Sequence, residues 1–131
     1  MDEYTILQER CYDNEQPLVI IETPYSGYVE ANTAYARAGL LDSLRRGEAP
    51  IVSHLLHTQV LDDMRPDERS LGIKAGLAWY QAATKCVVYT ERGISGGMER
   101  GIDRAEQDGV PIECRWLEKN AWLAGENSEQ H

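Results

Sequence analysis

Ser95, Gly96, Gly97 and Met98 follow the apolar run Cys86-Val-Val-Tyr89 and open a segment of helical spacing that ends near Asp108 and Gly109. A strand that empties through glycines into a helix leaves unpaired backbone N–H groups aimed at one spot. The helix dipole adds partial positive charge there, so phosphate, carboxylate or sugar oxygens are suitable guests. Gly96 and Gly97 carry no Cβ to keep a ligand from the backbone. Ser95 can cap the helix and still present its hydroxyl. Arg92 flanks the glycines, and with the amides of residues 96–98 it is the group expected to face a ligand. The glycine spacing matches neither the dinucleotide fingerprint nor the P-loop, since no Lys-Ser or Lys-Thr follows it. A plain βα turn uses the same residue types, so the ligand reading needs support from the rest of the chain.

Two other segments carry chemistry. Residues 22–27 (Glu-Thr-Pro-Tyr-Ser-Gly) break an apolar run with turn-forming residues. Glu22 ends that run, where a carboxylate serves as acid, base or acceptor from a ribose hydroxyl, or is simply solvated. Pro24 stiffens the loop, Tyr25 can stack on a base or sugar, and Ser26 offers a hydroxyl. Asn32 falls in the first turn of the next helix and either points into the crevice or bonds to nearby backbone. His54 and His57 stand three apart, but no carboxylate or cysteine at suitable spacing completes a metal site. His54 beside an anionic ligand is the functional reading; packing or exposure is the alternative. Glu99 lies just after the glycines, where the dipole favours a carboxylate whether or not it does chemistry. Glu22 and Glu99 are therefore the candidate catalytic residues, and the reading calls for no metal and no cofactor.

An alternation of strand and helix must position these groups. Strands are expected over residues 17–21, 49–53, 85–90 and 110–114, and helices over 29–46, 68–83 and 96–107. In the first helix Ala31, Ala34, Tyr35, Ala38, Leu41 and Leu44 recur at helical spacing; in the second, Leu71, Ala75, Ala78 and Trp79 share one face. Residues 54–69 read as long and irregular, interrupted at Pro66. Their acidic run with Arg65 and Arg69 is a solvated loop, or a lid whose arginine clamps a phosphate. The pattern implies an α/β chain: a three-layer Rossmann-like or flavodoxin-like parallel sheet of about four to five strands, with helices on both faces. Ligands of such sheets bind outside the carboxyl ends of the strands, so residues 22–27, 53–57 and 91–97 should meet at one edge.

The 131 residues suffice for a single domain, expected over residues 1–123, with a short leading strand at residues 4–7 and a disordered tail over 124–131. The formal charge of −9 disfavours a nucleic-acid polymer as partner, though not a small anion held by local arginines. Cys11, Cys86 and Cys114 are an odd, scattered set, which reads as reduced thiols of a cytoplasmic protein. No signal peptide is expected, and no apolar run is long enough to span a bilayer, so no membrane partner is expected. Trp79, Tyr80, Trp116 and Trp122 exceed what one small core needs; such aromatics are enriched at interfaces, which points to a homo-oligomer.

From about Val19 to Trp116 the order of weak motifs resembles the nucleoside 2-deoxyribosyltransferase-like family. The resemblance rests on Thr23-Pro-Tyr-Ser-Gly27, the alanine-rich helix opening with Asn32, Ser95-Gly-Gly-Met98 at a helix start, and Ala105 followed by Gly109-Val-Pro-Ile112. It implies a Rossmann-like fold, a small-molecule nucleoside or nucleotide ligand, transfer or hydrolysis at an N-glycosidic bond, and an oligomer. Small members of this kind are frequent in phage genomes. The family attacks C1′ with a glutamate on the helix after the Ser-Gly loop. Aligned on Ala105, that position is Gly101 here. Aligned on the Ser-Gly step, Glu99 is near but one or two positions out of register, and each helical residue turns a side chain by about 100°. Three readings stay open: an enzyme of N-glycosidic bonds using Glu99 or Glu22 with Tyr25 as positioner, a non-catalytic protein that senses or sequesters a nucleotide signal, or a structural subunit whose crevice is vestigial.

Overall fold

A computed structural model of the chain describes Asp2, residues 16–118 and Trp122. The expected leading strand at residues 4–7 and the tail over 124–131 lie outside the described residues. Four strands, β1 (Leu18–Glu22), β2 (Ala49–Ile51), β3 (Lys85–Tyr89) and β4 (Ile112–Arg115), form one sheet in the order β2-β1-β3-β4. All pairings are parallel, with Ile20 opposite both Ile51 and Cys86, and Cys86 opposite Ile112. The central strands are unbroken apolar runs because helices cover both their faces: Val19, Ile20 and Ile21 are buried, as are Cys86, Val87, Val88 and Tyr89.

Helix α1 (Val29–Arg45) covers one face, where Tyr35 and Ala36 pack with Val19, Ile21, Val87 and Tyr89. On the other face, α3 (Pro66–Ala78) with its following 3-10 turn, and α4 (Gly96–Gln107), enclose Ile20, Tyr80, Cys86, Val88, Met98 and Ala105. This is a three-layer α/β fold with the Rossmann-like arrangement the alternation implies. The irregular segment expected over residues 54–69 is regular at both ends, with the short helix α2 (Ser53–Leu56) and a 3-10 turn (His57–Gln59) at its start and α3 at its end, and irregular only over residues 60–65. Pro66 does not interrupt this region. It sits in the first turn of α3, where its missing N–H costs nothing.

The buried side of α3 differs from the expected one. Leu71 and Trp79 are 59% and 46% exposed, and Ala75 and Ala78 are exposed too. The inward side carries Gly72, Ile73, Gly76, Leu77 and then Tyr80. The reason is close backbone approach: a Cβ on Gly76 would lie 2.8 Å from Ser53 Oγ, and one on Gly72 would lie 3.3 Å from Leu61 Cδ1. A count of apolar side chains overlooks an interface made of glycine. In α1, likewise, Leu41 and Leu44 are exposed, while Gly39 lets the ring of Tyr89 approach to 3.2 Å of its missing Cβ. No helix among the described residues is long and apolar enough to cross a membrane.

Candidate functional site

The chain reverses its direction of progress across the sheet between β1 and β3, and the crevice beyond their carboxyl ends is where doubly wound sheets bind ligands. A cleft of about 330 Å³ opens there. It brings together Glu22, Tyr25 and Ser26 from the end of β1, Ser53 and His54 from α2, Arg69 and Gly76 from α3, Tyr80, and Ser95, Gly96, Gly97, Met98, Arg100 and Gly101 from α4. Most of the residues expected at one edge thus converge; Pro24, Asn32, Arg92 and Glu99 are the exceptions.

Glu22 is the last residue of β1, so its side chain leaves the sheet toward the cleft beside α4. A Cβ at Gly101 would stand 2.7 Å from Glu22 Oε1 and closer still to Oε2, so the carboxyl group fills the space that glycine leaves. Tyr80, 1% exposed, donates its hydroxyl to Glu22 Oε2 at 2.9 Å and lies 3.5 Å from Cys86 Sγ. Burial pushes the Glu22 carboxyl up to about 8, against the opposing pull of the Tyr80 hydrogen bond. Glu22 is therefore protonated at neutral pH. Burial also pushes the Cys86 thiol up to about 12 and raises the Tyr80 phenol, which keeps both neutral.

His54 forms a wall of the cleft with Tyr25, their ring centroids 5.2 Å apart and tilted by 36°. Its Nε2 lies 2.8 Å from Thr23 Oγ1 and 3.1 Å from the Thr23 carbonyl, which ties α2 to the loop after β1. Burial lowers its pKa to about 4, so the imidazole is neutral. Its Nδ1 is buried with no hydrogen-bond partner among the described residues. At the other wall, Ser95 accepts the Met98 amide at 3.3 Å and caps α4, as the sequence predicts. The amides of Gly96 and Gly97 fall in the first turn, where the helix supplies no partner. Met98 is 1% exposed and forms floor rather than contact surface.

Asn32 and Arg92 do not enter this cleft. Asn32 is 4% exposed; its Nδ2 donates to the carbonyls of Tyr25 and Ser26, both at 3.1 Å, and its Oδ1 accepts from Arg92 Nε at 2.8 Å. The pair braces the first loop against the third. Arg92 lies over the Trp122 ring at 5.1 Å and, with Pro24 and Asn32, lines a neighbouring depression that shares only Ser26 and Ser95 with the cleft. Glu99 is exposed on α4 and lines neither. Arg69, which belongs to α3 and not to a loop or lid, and Arg100 of α4 are the cations that line the cleft instead. Tyr80, expected at an interface, is the residue sequence reasoning missed. Nothing in its spacing marks it, although Gly97 and Gly101, four apart on α4, do mark a face open to close approach.

Among the described residues no group of three His, Cys, Asp or Glu side chains is placed to hold a metal ion. The family model described as Domain of unknown function (DUF7768) matches residues 17–115. The chain belongs to this family. No curated protein matches it. The matched region runs from the residue before β1 to the last residue of β4 and contains every cleft residue, so in this DUF7768 chain fold and cleft are one unit.

Proposed function

We propose that this DUF7768 chain takes a nucleoside or nucleotide into the cleft and acts on its N-glycosidic bond, as its resemblance to nucleoside 2-deoxyribosyltransferase-like proteins implies. One observation carries the reading: the Glu22 carboxyl, arriving from β1, fills the space beside Gly101, which an alignment on Ala105 makes the position of the resembling family's glutamate. Tyr25 and His54 supply a face for a base or sugar. Arg69, Arg100 and the first amides of α4, which line the same cleft, suit an anionic group despite the chain's net charge of −9. The exposed Leu71 and Trp79 support an oligomer in which that face is covered.

A second reading, binding without chemistry in the manner of a protein that senses or sequesters a nucleotide signal, is favoured by the neutral state of Glu22, which makes it a poor nucleophile. Ultrafiltration and mass spectrometry after incubation with deoxynucleosides, free bases and nucleotides separates the two. Released bases or exchanged nucleosides establish the enzyme. A compound depleted from the filtrate and recovered intact after denaturation establishes binding alone, and a filtrate with nothing released and nothing depleted overturns nucleoside handling.

Gly97→Val tests the shared part of both readings. The position is exposed and a Cβ there meets nothing closer than Ser95 Oγ at 3.9 Å, so the variant should fold. A branched side chain over the first turn of α4 blocks ligand approach to the amides, and calorimetry with the depleted compound should show at least a tenfold weaker Kd, about 1.4 kcal/mol. Unchanged affinity in a folded variant would rule out ligand contact at this turn.

A further inference from the structure

We infer that Tyr80 is the positioning residue for Glu22 and that it holds the carboxyl as a proton donor, so that the cleft protonates a leaving base instead of attacking the sugar. This rests on the N-glycosidic reading for its reaction, but the arrangement is testable without any nucleoside. Tyr80 donates to Oε2, whereas Oε1 has no hydrogen-bond partner among the described residues. A single donor on one oxygen leaves the acidic proton for the other oxygen, the one free to meet a ligand. The backbone of α4 at Gly101 also closes on the carboxyl, so Tyr80 and the helix both confine it.

The surroundings support an acid. From the turn after α3 and from β3 come Tyr80 and Cys86, both neutral. From α2 comes His54, neutral as well. The charged groups of the cleft are Asp63, Arg69 and Arg100, and none pairs with Glu22 among the described residues. With no cation beside it, the carboxylate form gains only the Tyr80 hydrogen bond. In the step this allows, the C1′–N bond breaks with its electron pair going to the base nitrogen, which takes the Oε1 proton. Water then bonds to C1′ through oxygen and loses a proton, which returns to Glu22.

Carbon-13 NMR titration of the glutamate carboxyl carbons, with Glu22→Gln to assign the resonance, tests the inference on the intact protein. Glu22 should titrate well above the exposed glutamates. In Tyr80→Phe its midpoint should rise further, by about one pH unit, because the lost hydrogen bond favoured the charged form. A tyrosine that only packs would leave the midpoint unmoved, and that result overturns the positioning role. Gly101→Ala gives a second readout: the added methyl meets the mobile end of a side chain, so the fold should survive while Glu22 swings out and titrates near an ordinary glutamate. A Glu22 that titrates with the exposed glutamates in the unaltered protein overturns the proposal outright. Where base release is observed, its rate should fall as pH rises past about 8; a rate rising through that range means a carboxylate nucleophile. Failure to release any base bears on the N-glycosidic reading and leaves the titration result standing.

Discussion

Glu22→Gln should lower base release by roughly 10²–10⁴-fold, the usual loss when a positioned acid is removed, and should leave the fold intact. The amide is nearly isosteric with the carboxyl and can still accept from Tyr80, so neither the wall at Gly101 nor the bond to Oε2 requires rearrangement. Stability provides an independent readout. Glu22 has an ordinary pKa in the unfolded chain, and burial raises it to about 8 in the fold. Between those values the folded state holds a proton that the unfolded state has released, so rising pH favours unfolding. Wild-type stability should therefore decline from about pH 4.5 to about pH 8 by an amount that the glutamine variant, with nothing to titrate there, does not show. Urea denaturation of both proteins across that interval measures the difference. Parallel curves would mean that Glu22 is not buried as a neutral acid, and the catalytic assignment would lose its basis.

The sheet was legible because its cause is local. Val19, Ile20 and Ile21, and Cys86, Val87 and Val88, are unbroken apolar runs, and only a strand covered on both faces makes use of such a run. The start of α4 was equally plain, since Ser95 and two glycines announce a cap whatever surrounds them. What stayed hidden depends on pairs distant in sequence. Arg92 reads as a ligand group until Asn32, sixty residues earlier, takes its Nε and turns it toward Trp122. Tyr80 reads as a spare aromatic until the turn after α3 sets its hydroxyl against Glu22. The inward side of α3 was misread because Gly72 and Gly76 pack by backbone, which leaves Leu71 and Trp79 outside. Gly101 is the converse case. Beside the resembling family its missing side chain looks like a lost nucleophile, and the fold shows the Glu22 carboxyl, from β1, in the vacant space.

The largest stability loss should come from Arg115→Met, away from the cleft. Arg115, 4% exposed, places Nη1 2.7 Å from Glu48 Oε1 and Nη2 2.6 Å from Oε2, while its Nε meets Glu113. Glu48, itself 4% exposed, also binds Lys85 Nζ and Ser43 Oγ, each at 2.7 Å. Arg115 closes β4 and Glu48 immediately precedes β2, so the pair links segments beside the two edge strands across the face that α1 covers. Removing the arginine leaves a buried carboxylate with Lys85 as its remaining cation. Breaking one partner of such a pair costs about 3–5 kcal/mol, and Lys85 should hold the loss to the lower end. Replacing both charges, as in Glu48→Met with Arg115→Met, removes the orphaned carboxylate and should recover much of that loss. The Arg115 hydrogen bonds hold the Glu48 carboxyl down at about 2, so its contribution is complete above pH 4.5 and fades as the pH falls toward 2. Chemical denaturation at pH 7 and pH 3 should then show the gap between wild type and Arg115→Met narrowing at the lower pH. A gap that stays constant, or a single variant as stable as the double, would mean that the pair does not hold the two edges together.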